Sequence, residues 1–243
     1  LVAIESQPVL SARQCSELIR ALLDDSQAEH VAHQGALNYC HEIRGLGRYR
    51  ASIFVDHRGV NAVSRIIPTA LPDLEDVNLP HQFAGVAYRR QGLVLVSSPQ
   101  GEGRTTTLTS LIHHINSNRK AHIVSLDSPI EFVHNHRQSI VSQRQIDLHS
   151  TSMVRALAEA TRQDPDVISV DELRTPEELM MAVRAANSGH LVMATLRVPG
   201  VGAETALTHL LEGIPKQTRR QLLADLASCI QALSSQALLP RSD

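Results

Sequence analysis

Aromatic residues are scarce in this sequence, and their scarcity argues against one class of binding surface. They make up 2% of the 243 residues, and tryptophan is absent. Proteins that bind single-stranded nucleic acid commonly stack the bases on aromatic side chains. The formal net charge is −2, so the broad positive surface that attracts a phosphate backbone is also missing. We therefore expect no nucleic-acid partner.

Cysteine is scarce as well, whereas histidine is abundant. The three cysteines are odd in number, widely spaced and without a C-x-x-C pair, which favours reduced thiols in the cytoplasm over a disulfide framework or a zinc cage. Among the 13 histidines, the closest pairs are His113/His114 and His134/His136. A metal site would need further ligands to converge on such a pair. Solvated surface histidines are the preferred interpretation, with a metal site as the alternative. The cysteines are Cys15, Cys40 and Cys229.

No apolar run approaches the roughly 18 residues that a membrane-spanning helix requires. Residues 1–10 (LVAIESQPVL) have neither the basic region nor the long apolar region of a signal peptide. The sequence does not begin with methionine, and we expect it to start within a longer protein. A hydrophobic content of 42% is ordinary for a globular chain, and this length allows one large or two modest domains.

The first part of the chain has the patterns of an α+β domain. Residues 11–30 have helical spacing of apolar side chains, with Ser11 at a capping position. Two short alternating segments follow, RYRASIFVDHRG and VNAVSRIIP. In the first of them, Arg48 and Arg50 fall on one face of an extended strand.

An acidic, polar stretch with an internal proline separates this part from the rest. It covers residues 73–82 (DLEDVNLPHQ). This composition is typical of a linker. We therefore predict two domains, over residues 1–76 and 77–243.

From Gly92 onwards, buried-strand and helix patterns alternate. Continuous apolar runs of strand length are typical of strands that are buried on both faces of a parallel sheet. Such runs alternating with helical segments predict an α/β domain. The predicted strands are GLVLVSS, AHIVSL, DVISV and HLVMATL, and the predicted helices are TTTLTSLIHHINSN, STSMVRALAEATRQ and TPEELMMAVRAANSG.

A glycine-containing loop between the first of these strands and its helix approximates a phosphate-binding P-loop. Gly101 and Gly103 allow successive backbone N–H groups to turn towards an anion, and Thr105 would supply a hydroxyl to Mg²⁺. Two positions depart from the G-x-x-x-x-G-K-[ST] pattern, because Ser98 replaces the first glycine and Arg104 replaces the lysine. The alternative is an ordinary glycine turn before a helix.

A second element strengthens the nucleotide hypothesis. The strand DVISV ends in Asp171 and Glu172, which is the Walker B arrangement. One acid would reach Mg²⁺ and the other would orient or deprotonate the attacking water. An acidic strand end before a helix is the alternative, but the two elements occur in order, each at the carboxyl end of a strand, where ligands bind in open α/β sheets.

At this point the sequence resembles the family of type IV pilus retraction and type II secretion ATPases, from about Pro8 to about Pro240. AHIVSLDSPIEFVH resembles the family's Asp box, DPDVISVDELR its Walker B segment and SGHLVMATL its His box. SIVSQRQI and LASCIQALSSQALLP are similar to family sequence, and RYRASIFVDHRGVNAVSRIIP resembles its arginine-bearing strands.

The resemblance implies roles for individual residues. Glu131 matches the Asp-box glutamate, which the family uses as the catalytic base, and Glu172 matches the Walker B glutamate. His190 matches the first histidine of the His box. Arg48, Arg50 and Arg65 match arginines of the kind that contact phosphates in the family. Which of the three reaches the γ-phosphate is open. The implied nucleotide-binding set is Gly101, Gly103, Arg104, Thr105, Thr106, Arg48, Arg50, Arg65 and His190, and the implied metal set is Thr105, Asp171 and Glu172.

Simpler alternatives exist for several of these residues. Glu131 is alternatively a surface acid after a turn, His190 a strand-edge histidine bonded to a carbonyl group, and the arginines a solvated strand face. The sequence also departs from the family pattern. Asp127-Ser128 replaces the usual Glu-Asp of the Asp box, Asp171 replaces a glycine, and Arg197 replaces the second histidine of the His box.

The fold that the resemblance implies is a small PAS-like α+β domain, cut short at its start, followed by a RecA-like P-loop NTPase domain without the family's C-terminal helices. It implies Mg²⁺-dependent ATP hydrolysis by a hexameric ring. The ring would work at the cytoplasmic face of the inner membrane, on the platform protein of a pilus or secretion system. The alternative is a catalytically impaired regulatory or structural subunit that assembles with an active paralogue, which Ser98, Arg104 and Arg197 favour.

Overall fold

The computed structural model describes residue 6 and residues 8–240, with the backbone alone at residues 81 and 82. The chain divides into two compact units between Thr69 and Ala70. The first unit contains three strands and two helices, and the second contains a six-stranded sheet with helices on both faces.

The first unit begins with two helices and continues as an antiparallel sheet. The predicted cap at Ser11 is confirmed, since its hydroxyl accepts a hydrogen bond from the Gln14 N–H. The predicted helical region is interrupted, because Asp24 caps a second helix. The sheet has the order β1-β2-β3. The elements are α1 Ala12–Ala21, α2 Asp25–Gln34, β1 Ala36–Ile43, β2 Gly47–Asp56 and β3 Gly59–Ile67.

Strand β2 supplies much of the core of this unit. Ala51 and Ile53 are buried and pack with Ile19, Val31 and Tyr39. The predicted alternation along β2 is confirmed at these two positions, which lie on one face of the strand. The likeness of the unit to a PAS domain stays a prediction.

The second unit is built on a parallel sheet with the strand order β6-β5-β7-β8-β4-β9. Each of the four strands predicted from apolar runs is present, and so are the three predicted helices. Its elements are α3 His81–Ala84, a 3-10 turn Gly85–Tyr88, β4 Gly92–Ser98, α4 Arg104–Asn118, β5 His122–Asp127, β6 Ile140–Gln145, α5 Met153–Ala160, β7 Val167–Leu173, α6 Pro176–Asn187, β8 Leu191–Arg197, α7 Ala203–Leu211, α8 Lys216–Cys229 and β9 Ile230–Ser235.

The predicted linker over residues 73–82 belongs to the second unit. Although this stretch is mostly polar, it contains Leu74 and Leu79, which pack with Phe83 against the buried cluster under α4. The apolar side chains therefore attach this stretch to the second unit. The division between Thr69 and Ala70 accordingly precedes the predicted one at residues 76 and 77.

Every residue of β4 is buried, as its apolar run predicts. Leu93 and Leu95 join the core layer that contains α5 and α6, whereas Val94 joins the layer that contains α4. Alternate side chains of a strand point to opposite faces of the sheet, so helices must cover both. Burying one such leucine contributes about 2 kcal/mol.

Local sequence signals fix the helix starts around this sheet. Thr175 caps α6 by accepting a hydrogen bond from the Glu178 N–H, and Pro176 occupies the first turn, as predicted. Helix α5 buries Met153 and Leu157 on one face, also as predicted. Within residues 8–240, the longest and most apolar helices fall short of what a membrane span requires.

Candidate nucleotide-binding site

Four parallel strands end at the same edge of the second unit's sheet. They are β4, β8, β7 and β5, which are neighbours in that order. Ligands of open α/β sheets bind outside the carboxyl ends of the strands. The segments that follow β4, β5 and β7 carry most of the residues predicted to bind nucleotide, so this edge is the candidate site.

The loop between β4 and α4 has the backbone of an anion-binding turn. Gly101 and Gly103 adopt φ angles of +88° and +82°, which favour glycine. Gly103 is the N-cap residue of α4, and no side chain caps the first turn. The first N–H groups of a helix lack intrahelical partners and carry partial positive charge. The loop therefore presents free donors at the position where a phosphate binds in P-loop proteins.

Arg104 is the first residue of α4, and its guanidinium is largely buried. Nη2 lies 3.2 Å from Oε1 of Glu172, within ion-pair distance. Nη1 is buried without a hydrogen-bond partner, and so is Oε1 of Glu172. Burial lowers the pKa of Arg104, and the neighbouring Glu172 opposes that shift. A buried donor without a partner is costly, and an anion in the loop would satisfy it.

Glu172 is held from two sides at the end of β7. Besides the ion pair with Arg104, its Oε2 accepts a hydrogen bond of 2.9 Å from Nε of Arg174. These two contacts with cationic side chains fix the direction of the Glu172 carboxylate. The sequence interpretation missed Arg174, although it follows the acidic pair by only two residues.

A cavity beside the loop brings together residues from three strand ends. Thr105 at the start of α4, Glu131 in the segment after β5 and Asp171 on β7 all line it. Asp127 at the end of β5 lines it as well. Residues far apart in the sequence thus converge on one acidic space, which is the chemical environment that a divalent cation prefers.

Asp127 is the most perturbed carboxyl group in this cavity. Burial, and next the charge of Asp171, raise the pKa of Asp127 to about 7. The Ser125 hydroxyl donates to its carboxylate at 2.9 Å, and the Gln143 amide contacts it at 3.4 Å. These donors stabilise the charged form and oppose the shift. In the sequence Asp127 is only a departure from the Asp-box pattern, because the contacts that perturb it come from residues distant in the chain.

His134 also lines the cavity and contradicts the expectation of solvated histidines. It is buried, its Nδ1 has no hydrogen-bond partner, and burial lowers its pKa to about 4. His113 is buried too, and its pKa is likewise lowered, chiefly by burial. Burial is the largest cause of the shift in both, so it favours the neutral form of each imidazole.

Arg197 lies next to the phosphate loop. It ends β8 and pairs in register with Ser98 at the end of β4. Its Nη2 donates a 2.7 Å hydrogen bond to Oε1 of Gln100 in the loop. The substitution of arginine for the family's second histidine therefore adds a second cation beside the loop.

His190 does not join the site. It precedes β8, and its carbonyl oxygen accepts from the N–H of Gly92 at the start of β4. The loop follows the other end of β4, about 20 Å away at roughly 3.3 Å per residue. Its Nδ1 lies 3.0 Å from the Ala185 carbonyl oxygen, which matches the alternative of a strand-edge histidine. The prediction that His190 binds the nucleotide held by its own loop is corrected accordingly.

The remaining predicted residues fall into two groups. Thr106 follows Thr105 in the first turn of α4 and is half-buried. The three arginines Arg48, Arg50 and Arg65 lie on β2 and β3 of the first unit, where Arg50 and Arg65 are cross-strand partners. Their role towards a nucleotide stays a prediction.

The residue types at the site suit Mg²⁺ better than a transition metal. Among the residues that the structure describes, no group of three or more histidine, cysteine or acidic side chains is arranged to hold a metal. Mg²⁺ in nucleotide-binding proteins is held by one or two side chains together with the substrate phosphates and water. Thr105 and Asp171, which line one cavity, fit that requirement.

The fold and the loop define a class of protein. A parallel sheet with a glycine loop between its first strand and helix is the RecA-like P-loop NTPase fold. The crystal structure of the pilus retraction motor PilT with bound ADP is similar to this chain, with a TM-score of 0.84 and 30% sequence identity. The similarity covers 93% of this chain and 70% of the PilT chain. The Type II/IV secretion system protein family matches residues 71–242. This chain belongs to that family.

Curated relatives agree with the family assignment. The twitching motility protein of Neisseria gonorrhoeae is 34% identical over 236 residues, which cover 97% of this chain and 63% of the relative. The type IV pilus ATPase PilU of Pseudomonas aeruginosa is 35% identical over 234 residues, which cover 96% of this chain and 61% of the relative. The chain thus spans a little over three fifths of the length of these two relatives.

Proposed function

We propose that this chain is an ATP-hydrolysing motor subunit of a type IV pilus or type II secretion system. One observation carries the proposal most directly. The buried Arg104 guanidinium has an unpartnered Nη1 at the uncapped start of α4, beside the acidic cavity. An anion in the loop and a cation in the cavity would complete both places, and a nucleoside triphosphate with Mg²⁺ supplies the two together.

In this proposal the phosphates of ATP bind to the loop. The backbone N–H groups around Gly101 and Gly103 donate to them, and the α4 dipole favours their charge. Arg104 contacts the phosphates through its free Nη1, while Nη2 remains beside Glu172. Because a guanidinium is planar, it cannot insert between the β- and γ-phosphates as a lysine ammonium does.

Thr105 and Asp171 would hold Mg²⁺, with Glu172 as a further acid at the end of β7. When bound, the metal ion neutralises charge that develops on the phosphates during phosphoryl transfer. Burial, and next the charge of Asp171, raise the pKa of Asp127, and a cation near these two carboxyl groups would relieve their repulsion.

Glu131 would take the proton from the attacking water. It lines the same cavity as Thr105 and Asp171, which is the requirement for a general base to lie near its proton. The Asp127 carboxylate already accepts a hydrogen bond from the Ser125 hydroxyl and contacts the Gln143 amide. Glu131 is therefore the carboxylate of this cavity that we assign to the attacking water.

The proposed motor is a ring, most simply a hexamer, at the cytoplasmic side of the inner membrane. Its partner would be the platform protein of a pilus or secretion system, and the direction of force, assembly or retraction, stays open. The phosphate loop and acids belong to the second unit and Arg48, Arg50 and Arg65 to the first. Arginines supplied by a neighbouring subunit can raise the rate by roughly 10³ to 10⁵.

A second candidate function is a regulatory subunit that binds nucleotide weakly and assembles with an active paralogue. The specific observation in its favour is the ion pair between Arg104 and Glu172. This pair neutralises the positive charge of the loop with an internal carboxylate, so less of that charge is available to the phosphates of ATP. Ser98 in place of the first glycine acts in the same direction.

The deciding experiment is ATP turnover by the purified full-length protein with Mg²⁺, alongside isothermal titration with ATP. Turnover above the Glu131→Gln background supports the motor. ATP binding without turnover supports the regulatory subunit. No heat of binding and no thermal shift at millimolar ATP would exclude both proposals.

A further inference from the structure

The segment that follows β9 crosses the phosphate loop. The N–H of Gln236 donates to the carbonyl oxygen of Ser97 at 3.0 Å, which continues the β4–β9 pairing. Its side-chain Nε2 then donates to the carbonyl oxygen of Glu102, inside the loop. Two residues further on, the N–H of Leu238 donates to Oε2 of Glu102 at 2.6 Å. This short stretch therefore holds Glu102 by both its backbone and its side chain.

The side-chain amide of Gln236 is itself fixed from the opposite end. The hydroxyl of Thr107 in α4 donates to Oε1 of Gln236 at 2.9 Å. With its oxygen engaged, the amide must present its NH₂ group to Glu102. The amide thus links the second turn of α4 to the middle of the loop.

The bond to the Glu102 carbonyl has a consequence for the next N–H. In a planar trans peptide the C=O and N–H groups point in opposite directions. A carbonyl group fixed towards Gln236 therefore directs the N–H of Gly103 to the opposite side of the loop. Gly103, on the N–H side of this peptide, has a positive φ angle, and glycine can adopt φ angles of either sign. The orientation of the peptide is therefore weakly restrained by Gly103 itself, and the bond to Gln236 adds a restraint from outside the loop.

We propose that Gln236 is a positioning residue for the phosphate loop, holding the Glu102–Gly103 peptide so that the Gly103 N–H stays available to a nucleotide phosphate. The inference rests on the proposed nucleotide-binding function. A Cβ atom added at Gly103 would lie 3.2 Å from Nε2 of Gln236, which shows how closely the amide covers this turn. The N–H of Leu238, in the same segment, donates to the Glu102 carboxylate. The negative side chain of this anion-binding loop therefore has its own hydrogen-bond partner.

The test is the affinity for ADP of Gln236→Glu, measured by isothermal titration at pH 7.5. Glutamate keeps the size and the acceptor for Thr107 but cannot donate to Glu102. Loss of one orienting hydrogen bond predicts binding about five- to tenfold weaker. Gln236→Met removes both bonds and should weaken binding at least as much. The matched control is Ser97→Ala, which removes a 2.9 Å bond to the Ser234 carbonyl in the same strand pair and should leave the ADP affinity unchanged.

An unchanged ADP affinity in both Gln236 variants would overturn the positioning role, and so would equal weakening in Ser97→Ala. A second measurement separates this inference from the proposed function. In the nucleotide-free protein, ¹⁵N relaxation dispersion should reveal exchange at the Gly103 amide in Gln236→Glu that is absent from the wild type and from Ser97→Ala. If the wild type binds no ADP, the proposed function fails, and this spectrum still decides the role of Gln236. A quiet Gly103 amide in every variant would refute it.

Discussion

Nη2 of Arg104 lies 3.2 Å from Oε1 of Glu172 and joins two strand ends that are not neighbours in the sheet. Strand β8 separates β4 from β7. The ion pair therefore connects the phosphate loop after β4 to the Walker B segment at the end of β7. A phosphate that enters the loop would share this guanidinium with Glu172, through the Nη1 that has no partner.

Arg104→Lys should tighten ATP binding at least threefold. Lysine places a compact ammonium between the phosphates and cannot form the guanidinium contact with Glu172. Isothermal titration with ATP and Mg²⁺ measures the change. The control is Arg174→Lys, which alters the other cation on Glu172 but lies outside the loop, and its affinity should stay near that of the wild type. A gain below threefold would mean that the arginine is not what limits binding.

Glu131→Gln should reduce ATP turnover by about 10² or more, since a positioned general base contributes typically 10² to 10⁴. The amide keeps the shape of the side chain, so ATP affinity should remain within about twofold. Glu204→Gln, an exposed acid in the first turn of α7, serves as the control with unchanged turnover. Retention of most of the rate in Glu131→Gln would place the base elsewhere.

The stability of the wild type should fall as the pH rises from about 4 to above 7, relative to Asp127→Asn. The folded-state pKa of Asp127, about 7, is raised above its ordinary value of 3.8. Proton binding therefore stabilises the fold fully below the ordinary pKa, and this contribution is lost as the pH rises through the folded pKa. The asparagine variant has no such proton to lose.

Thermal unfolding of both proteins at pH 5 and pH 8, without nucleotide or divalent cation, checks this. The Tm of Asp127→Asn minus that of the wild type should be larger at pH 8, by about 2–4 °C or more. Titrating groups that do not interact with Asp127 act alike in both proteins and cancel in the difference. A difference that does not change with pH would show that Asp127 is ionised throughout this range.

If the first-unit arginines act on a neighbouring subunit, two inactive variants should complement each other. A double variant, Arg50→Ala with Arg65→Ala, should lose turnover, and so should Glu131→Gln. Mixed rings would contain interfaces in which the intact arginines meet an intact Glu131, so mixing should restore part of the ATPase activity. Turnover that stays at background in every mixture would argue that the arginines act within their own subunit or not at all.

Mass photometry of the same preparations, with and without ATP, should detect oligomers. The measurement is repeated with any active paralogue. Monomers under every condition would remove both the motor and the regulatory proposals, because each requires a ring.

Much of the second unit was predictable from the sequence, for a local reason. A strand buried on both faces must be apolar throughout, so β4 could be recognised without its neighbours. The start of α6 could likewise be placed because Thr175 and Pro176 act on the backbone next to them. The positive φ angles of Gly101 and Gly103 follow from the same local logic.

The boundary between the units was less predictable, because it depends on contacts between distant residues. Leu74 and Leu79 stand in a polar, acidic stretch, and only the tertiary structure shows that they are partly buried against the core under α4. The linker pattern therefore did not show that this stretch belongs to the second unit.

The sequence by itself determined the four apolar strands of the second unit, the caps at Ser11 and Thr175, the glycine loop and the acids at the end of β7, since each depends on neighbours a few residues away. Only the tertiary structure decided which of these residues meet. It placed His190 at the far edge of the sheet, Arg197 and Gln236 on the phosphate loop, and Asp127 beside Asp171. The physical reason is that strand order, burial and the direction of a side chain are set by packing across the sheet, which no local pattern records.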